Sequence, residues 1–566
     1  MVFEEFEYKR PNYEQTRDEL GTLLDSLRSS GSAGEAIRHA VEIDKIRMNY
    51  HSMKDLSGLQ FSIDLNNASY VAENDYFDDY WPYFKELDSK FYREILNSKY
   101  LADFRGFYGD QFIKLISCIL RVIDPCILEQ LQEEQRLVSS NFRTKTNGEI
   151  EFRGQKLNLS ALSGYLDAPD RALRKEASDA FYGFYQSVAD EIESCYDGLV
   201  RVRDEKAKKL GYPCFTPMGY DEMTRTDYDQ EMVAVFREEV EKYMSPLSQK
   251  LIERQKKRLG VTSLPFYDEP VKFAGGNPRP KGDYNDLLRE AGEMYREISP
   301  ETGEYFSYML ENHLIDVLPR KGKEGGAFEQ YIGRERAPFL FANCNGSSDD
   351  VKLVTHEAGH AFQFYMSRQF DSYEAVQPTM EAAEVDALSM EMFVLPYVGR
   401  FFDTPKDADK YRFMLLESKV HKVPYCCVVD EFQHNVYNRP LATRADRRGM
   451  WRELEKKYMP HRDYSGSPFL ESGAWWFQQG HPFFRPFYFI DYGLAEICSL
   501  EFFQRMTADY SSAWQDYVRM CRLGGTRSFT QLLKVAKIDS PFERGTVRRA
   551  AEFTEEYLSR IDDTSF

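Results

Sequence analysis

The sequence is poor in cysteine and has no long apolar run. Nine of its 566 residues are cysteines, no CxxC pair occurs, and Cys426 and Cys427 are adjacent. This usage predicts reduced thiols in an intracellular protein and excludes a disulfide framework. The most apolar stretch, residues 114–128, is interrupted by Arg121, Asp124 and Pro125, so it is too short and too broken to span a bilayer.

The chain also lacks an excess of positive charge. It has 73 Lys and Arg residues against 92 Asp and Glu residues, which gives a net charge of −19. A general nucleic-acid binder needs a basic surface, so that class is not expected. The first residues, MVFEEFEYKRPNYEQ, show neither the basic nor the apolar segment of a secretory signal. These absences predict a cytoplasmic protein without a membrane or nucleic-acid partner.

Helical periodicity dominates what is present. Apolar residues three and four positions apart predict helices over much of the chain. These helices are expected at residues 13–29, 35–55, 171–209, 229–259, 380–402, 406–437, 444–458, 492–506 and 542–561. Only two short segments, residues 149–153 and 338–343, resemble strands. The sequence therefore predicts a mainly α protein with a small β-sheet.

One motif carries chemistry. His356 and His360 lie four residues apart in an HExxH pattern, so both imidazoles project from one face of a helix and reach one metal ion. Glu357 follows the first histidine, and in this motif it is the general base for a metal-bound water. Zinc lowers the pKa of such a water towards ~7, so a carboxylate can take its proton at neutral pH.

The alternative interpretation is a surface helix with two solvated histidines. Composition alone produces an HExxH pattern roughly once in a hundred such sequences. The flanking residues are apolar, however, and a buried helix with two histidines and a glutamate needs partners for them. This context favours a metal site; the flanking apolar residues are Val351, Leu353, Val354, Ala361, Phe362 and Phe364.

A catalytic zinc usually has a third protein ligand and one open position. The metzincin extension is absent, because Gln363 and Met366 stand where its glycine and third histidine belong. A glutamate about twenty residues after the second histidine is also absent, because Thr379 and Met380 occupy that zone.

The next predicted helix, MEAAEVDALSMEMF, offers three glutamates. Glu384 follows His360 by 24 residues, Glu391 lies seven residues later near the same face, and Glu381 is one turn earlier. Their positions in the sequence alone do not show which of the three is the third metal ligand. A glutamate that is not a ligand would either hold a ligand histidine by its other nitrogen or lie on the helix surface.

The motif and its surroundings resemble a known family. HEAGHAFQ followed by AAEVDALSME is similar to the thimet-oligopeptidase/oligoendopeptidase F family of zinc metallopeptidases, and most similar to the short bacterial branch that includes Pz-peptidases. The likeness extends to residues 152–182, to PFLFANCNGSSDDVKLVTHEAGH at 338–360 and to HPFFRPFYFIDYGLAE at 481–496. It therefore covers most of the chain from about residue 150 onwards.

The resemblance implies roles for individual residues. The family's third ligand is the glutamate of its AE pair, which here is Glu384. His356, His360 and Glu384 would then hold one Zn²⁺ per chain, with Glu357 as the base.

The family also uses a histidine and tyrosines near the C-terminus to hold the scissile carbonyl and the oxyanion. His481 matches that histidine, and Tyr488 and Tyr492 match two of the tyrosines. Ile490 stands at a third tyrosine position, so this chain departs from the common pattern. Tyr488 is the preferred oxyanion donor, with Tyr492 as the alternative.

The family's fold is a two-part helical shell around a deep substrate channel, with a small β-sheet beside the zinc helix. Residues 1–205 would form one wall of the channel and residues 206–566 the catalytic domain. The strand before the zinc helix would present an open edge to an extended peptide. Its substrate-binding residues would be Phe339, Phe341, Ala342 and Asn343.

The predicted function is a zinc-dependent oligoendopeptidase that hydrolyses internal bonds of short, unstructured peptides. One alternative is a peptidyl dipeptidase or carboxypeptidase with the same zinc site, although no cation that would anchor a terminal carboxylate can be placed from the sequence. A second alternative is a non-catalytic peptide-binding protein, against which the intact Glu357 argues. The oligomeric state cannot be read from the sequence.

Overall fold

The computed structural model describes residues 2–566 and confirms a mainly α fold. Its α-helices are α1 Tyr13–Ser29, α2 Ala33–Ile63, α3 Ala68–Leu96, α4 Leu101–Tyr108, α5 Asp110–Arg121, α6 Leu128–Thr146, α7 Leu159–Ser163, α8 Arg171–Ser187, α9 Ala189–Lys209, α10 Phe215–Glu222, α11 Gln230–Glu239, α12 Ser245–Leu259, α13 Tyr284–Ile298, α14 Pro300–Glu311, α15 Ser348–Ser367, α16 Tyr373–Val376, α17 Met380–Phe393, α18 Pro405–Asn438, α19 Arg444–Tyr458, α20 His481–Phe484, α21 Phe489–Ala508, α22 Tyr510–Cys521, α23 Phe529–Ala536 and α24 Thr546–Ser559. The strands are β1 Ile150–Phe152, β2 Gln155–Leu157, β3 Ile315–Asp316, β4 Ala327–Ile332 and β5 Ala337–Ala342.

Local sequence signals account for the helix boundaries. The Ser347 hydroxyl accepts a hydrogen bond from the Asp349 backbone N–H at 3.2 Å and so caps α15.

Two predicted helices are interrupted. The 171–209 segment is divided into α8 and α9 because the backbone of Val188 is not helical. The 229–259 segment contains a π-helical turn at Val240–Met244.

The three-stranded sheet has the order β3-β5-β4, with β5 parallel to β3 and antiparallel to β4. Strand β5 is therefore central, and the prediction that it presents an open edge is wrong. Every residue of β5 is buried, because an apolar strand such as APFLFA is stable only when both faces are covered. The free edge belongs to β4, whose first four residues are half-buried.

The predicted substrate-binding residues of the β5 segment are already buried or bonded to other parts of the chain. Phe339, Phe341 and Ala342 lie within the core, at 1% exposure or less. Asn343 follows the strand, where its backbone N–H donates to Gly326 at 2.9 Å and its side chain donates to the Glu324 carbonyl at 3.1 Å. None of these four residues offers a free backbone edge to a peptide.

A buried polar network joins the N-terminal helices to the segment that follows α15. The Arg47 guanidinium contacts Asp44 at 2.7 Å and Asp88 at 2.7 Å within the helical region, and Glu374 of α16 at 2.5 Å. Such a cluster is tolerated in the interior because each charge has an opposite partner. The predicted boundary at residue 205 lies inside α9, and the division into regions 1–205 and 206–566 stays a prediction.

Two further expectations concern the whole chain. Across residues 2–566, no helix combines the length and the apolar content that a membrane crossing requires. All nine cysteines are free thiols, and seven of them are buried, which agrees with the predicted absence of disulfides.

Candidate metal centre

The close crossing of α15 and α17 builds the site. Gly359, inside the HExxH motif, faces Ala387 of α17 so closely that a Cβ at residue 359 would lie 2.6 Å from the Ala387 Cα. A glycine and an alanine at the crossing let the two helix backbones approach. The approach brings Glu384, one turn earlier on α17, to the two motif histidines.

His356, His360 and Glu384 form a cluster that could hold a metal ion. One ligand atom from each residue lies within 4.8 Å of the others. The Glu384 Oε2 atom is 3.6 Å from His356 Nε2, and it is buried without a hydrogen-bond partner among residues 2–566. Two imidazoles and a carboxylate with an unpaired buried oxygen suit a divalent cation such as zinc.

A chain of charges orients the first histidine. His356 Nδ1 is 2.8 Å from Glu391, the Glu391 carboxylate is 3.0 Å from Lys419 Nζ, and Lys419 is 2.8 Å from Glu496. A carboxylate on Nδ1 leaves Nε2 free for a ligand role. Glu391 therefore takes the supporting position among the three glutamates that spacing left open.

Burial sets the charge states of the motif. Loss of solvent lowers the pKa of His360 to about 4 and that of His356 below its usual range, so both imidazoles are neutral, as metal ligands must be. Burial, with the charges of Glu384 and Glu391 added, raises the pKa of Glu357 to about 8. A carboxylate with a raised pKa is a stronger base than an exposed one.

The C-terminal segment reaches the same centre. The Tyr488 hydroxyl donates to Glu384 Oε1 at 2.6 Å, and the His481 ring stacks on the Tyr488 ring at 5.4 Å. The Tyr492 ring lies 5.2 Å from that of Tyr488. The structure thus brings these three predicted residues together beside the cluster, whereas Ile490 is fully buried in the core.

Two arginines that the sequence analysis missed hold this segment in place. Arg203 of α9 donates to the Pro482 carbonyl at 2.9 Å and also contacts the Phe483 carbonyl. Arg225 donates to the Phe487 carbonyl at 2.6 Å and to Asp491 at 2.9 Å. Neither arginine has a sequence signal, because each acts across more than 250 residues.

The residue before Tyr488 has an unusual backbone. Phe487 adopts a left-handed conformation with φ of 65°, which is strained for an aromatic residue. The Gln433 side chain of α18 accepts its N–H at 2.9 Å, and Arg225 holds its carbonyl. The surrounding contacts therefore fix the turn that aims Tyr488 at Glu384.

A glutamate on β4, the strand with the free edge, was not predicted from the sequence either. Glu329 of β4 is close enough to Glu357 that their charges interact, and burial raises the pKa of Glu329 well above its usual value. Its Oε1 atom is buried without a hydrogen-bond partner in the described part of the chain. The Glu329 side chain of β4 therefore lies near the motif glutamate.

Replacing Gly359 with alanine tests the helix crossing. The added Cβ meets the Ala387 backbone, so we expect the free energy of unfolding to fall by about 1–3 kcal/mol, the usual result of overpacking. Thermal or urea unfolding measures it. Gly21→Ala in α1 is the matched control, because a Cβ there has nothing within 4 Å. Equal stability of the two variants would contradict the proposed crossing.

Comparison with protein families agrees with this geometry. Residues 3–123 match the family model for the peptidase M3 N-terminal domain, and residues 165–552 match that for peptidase family M3. The chain is a metallopeptidase that acts on peptide bonds. It belongs to peptidase family M3.

Individual relatives extend the comparison. The oligopeptidase PepF of Bacillus subtilis (strain 168) is 20% identical over 471 residues, which cover 79% of this chain and 67% of PepF. An oligoendopeptidase F homologue of Borreliella burgdorferi is 21% identical over 523 residues, covering 88% and 85% of the two chains. This chain thus spans about two thirds of the length of PepF.

Solved structures are similar over the whole chain. Pz peptidase A, solved with an inhibitor, has a TM-score of 0.94 and 41% identity, covering 99% of this chain and all of that one. A protein from Bacillus anthracis str. Ames assigned to oligoendopeptidase F has a TM-score of 0.90 and 39% identity, with 100% and 99% coverage. The fold and the predicted family are therefore confirmed.

Proposed function

We propose that this chain is a zinc-dependent oligoendopeptidase that hydrolyses internal bonds of short, unstructured peptides. The observation that carries the proposal is the convergence of two imidazoles and one buried carboxylate, with Glu357 and the Tyr488 hydroxyl beside them. The names oligopeptidase and oligoendopeptidase of the relatives support the substrate class.

We assign His356, His360 and Glu384 as the ligands of the zinc ion. These residues would hold a divalent cation, which would polarise the scissile carbonyl and lower the pKa of water. Beside a bound cation, Glu357 would be ionised. Glu357 then accepts a proton from the attacking water as the C–O bond forms, and passes it to the leaving amine as the C–N bond breaks.

We assign His481 and Tyr488 as the hydrogen-bond donors to the oxyanion. The negative charge that develops on the carbonyl oxygen needs donors that are already in position. Burial raises the pKa of Tyr488, so its hydroxyl keeps its proton and can turn from Glu384 to the oxyanion. Burial lowers the pKa of His481 to about 4, so its ring is neutral and can donate through one nitrogen.

The substrate backbone is assigned to the free edge of β4. An extended peptide can add as a strand there, since β5 occupies only the other edge of β4. Backbone pairing holds many sequences equally well, which suits an enzyme of broad specificity. Ala327 and Glu329, whose backbone groups alternate with those bonded to β5, replace the β5 residues in this role.

Mapping the products of an unstructured peptide tests the function. The wild-type protein should cleave it at internal bonds, and a chelator should stop cleavage until zinc is added back. Glu357→Gln protein should leave the peptide intact. Release of only fixed C-terminal pieces would favour the peptidyl dipeptidase or carboxypeptidase alternative. Equal, slow cleavage by both proteins would favour a non-catalytic peptide-binding protein.

Tyr488→Phe removes one oxyanion donor and keeps the ring. We expect kcat to fall by about 10²–10³-fold, with a small change in KM, because the lost hydrogen bond acts mainly in the transition state. Tyr492→Phe is the matched control and should have a smaller effect. Steady-state kinetics on one fluorogenic peptide measures both. A larger loss in the Tyr492 variant would reverse the assignment.

The cytoplasmic location stays a prediction.

A further inference from the structure

Glu329 is the only charged residue of β4, the strand with the free edge. We propose that Glu329 selects peptides with a lysine or arginine at the position that pairs with it, by contacting the ammonium or guanidinium group of that side chain. The inference rests on the proposed function, in which the peptide adds to this edge, and gives the backbone pairing a side-chain preference.

The register of the sheet turns the backbone of Glu329 away from β5. The Asn343 N–H donates to the Gly326 carbonyl at 2.9 Å, and Glu329 lies opposite Leu340. In an antiparallel pair, the residues that bond the partner strand alternate with those that do not. Gly326 therefore faces β5, whereas Ala327 and Glu329 face the free edge. A substrate strand at this edge would place one residue beside Glu329, with its side chain on the same face of the sheet.

The Glu329 side chain lies on the face of the sheet that packs against α15. Tyr331 is two residues later in the strand and so shares that face, and its ring stacks on the Phe364 ring of α15 at 5.2 Å. Phe364 follows Glu357 by seven residues, so these two side chains project from the same face of α15. The interaction between the charges of Glu329 and Glu357 agrees with this placement. A side chain beside Glu329 would therefore lie near the residues assigned to catalysis.

The Glu329 carboxyl group is without a positive partner. Its Oε1 atom is buried and makes no hydrogen bond with any residue from 2 to 566. Burial and the charges of Glu357 and Asp55, both negative, raise the pKa of Glu329 well above its usual value. Asp55 has the Lys54 ammonium at 3.4 Å, but no cation of these residues serves Glu329 in the same way. A substrate cation would supply the missing charge and favour the ionised carboxylate.

The geometry of strand pairing favours a side chain of the substrate over its α-amine. The α-amine belongs to the end of the peptide backbone, which lies along the edge of β4, whereas the Glu329 carboxyl projects from the face of the sheet. Neighbouring residues of paired strands have Cβ atoms about 4.5–5.5 Å apart, and opposite charges there stabilise the pair. The apolar stem of a lysine or arginine can also pack on half-buried Ala327, which shares the face of Glu329.

Peptides that differ at a single residue test the proposal. One host peptide carries lysine or its neutral analogue norleucine at each position in turn, and mass spectrometry locates the cleaved bond. An N-terminal acetyl group removes the α-amine as a competing cation. At one position relative to the cleaved bond, the wild-type protein should favour lysine by about tenfold in kcat/KM, the size expected for hydrogen bonds to a charged group. Equal values for lysine and norleucine at every position would overturn the proposal.

Two variants connect the preference to Glu329. Glu329→Gln should bring the ratio at that position to about one without loss of thermal stability, because the carboxyl group has no partner to lose. Glu329→Lys should favour glutamate over glutamine there. Glu324→Gln is the matched control and should keep the wild-type ratio, since it removes the same charge just before β4, where the Ser62 hydroxyl donates to the carboxylate at 2.5 Å. An unchanged ratio in the Glu329→Gln protein would contradict the assignment.

Calorimetric binding to the wild-type and Glu329→Gln proteins separates this proposal from the proposed function. If the wild type cleaves neither peptide but binds the lysine peptide more tightly, and the variant shows no preference, the role of Glu329 stands and the peptidase assignment fails. If the wild type cleaves both peptides equally and binding shows no preference, the peptidase assignment stands and the role of Glu329 fails.

Discussion

Glu357→Gln protein should lose roughly 10²–10⁴-fold in kcat, the range that a positioned general base contributes. Glutamine keeps the size of the side chain but cannot accept the proton of the attacking water. Steady-state kinetics measures the loss. Metal content and thermal stability should stay at the wild-type values, because Glu357 is not one of the three clustered ligand residues.

Glu357→Asp is the matched control. It keeps the carboxylate but withdraws it by one methylene group, so activity should lie between that of the wild type and that of the glutamine variant. Wild-type activity in the glutamine variant, with metal content verified, would contradict the role of Glu357 as base.

Glu384→Gln should reduce metal affinity by at least about 100-fold, because even a supporting partner of a ligand contributes 10–100-fold. The amide is neutral and replaces the one anionic ligand in the cluster, while its oxygen can still accept the hydrogen bond of Tyr488. Peptide cleavage should disappear and return in part at high zinc concentration. Metal analysis after dialysis against a weak chelator measures the affinity.

Glu381→Gln is the matched control, since Glu381 is also buried on α17 but lies outside the cluster. This variant should retain its metal. Loss of metal from the Glu381 variant and retention by the Glu384 variant would show that the wrong glutamate had been assigned.

The sequence predicted the features that depend on local pattern. The helical periodicity, the HExxH spacing and the helix that carries the three glutamates all depend on neighbouring residues, and the structure contains each of them. Choosing Glu384 over Glu381 and Glu391 needed the resemblance, because helix spacing does not say how two helices cross. The structure supplies the missing cause in the contact between Gly359 and Ala387.

The errors arose where distant segments decide the outcome. The position of β5 in its sheet depends on β3, more than twenty residues earlier, which no local pattern reveals. The uniform apolarity of APFLFA was a usable signal, because an edge strand normally alternates. Arg203 and Arg225 left no signal, since their partners are backbone carbonyls of a segment far along the chain.

The strained turn at Phe487 has a consequence for the timing of activity. Its support comes from Arg225 and Gln433, and Arg203 holds the neighbouring segment. Segments from widely separated parts of the chain must therefore be assembled before Tyr488 points at Glu384. A chain still leaving the ribosome, or a proteolytic fragment with an intact HExxH helix, would lack the aligned phenol. If Tyr488 has the proposed role, full hydrolytic activity is therefore expected only of the fully assembled chain.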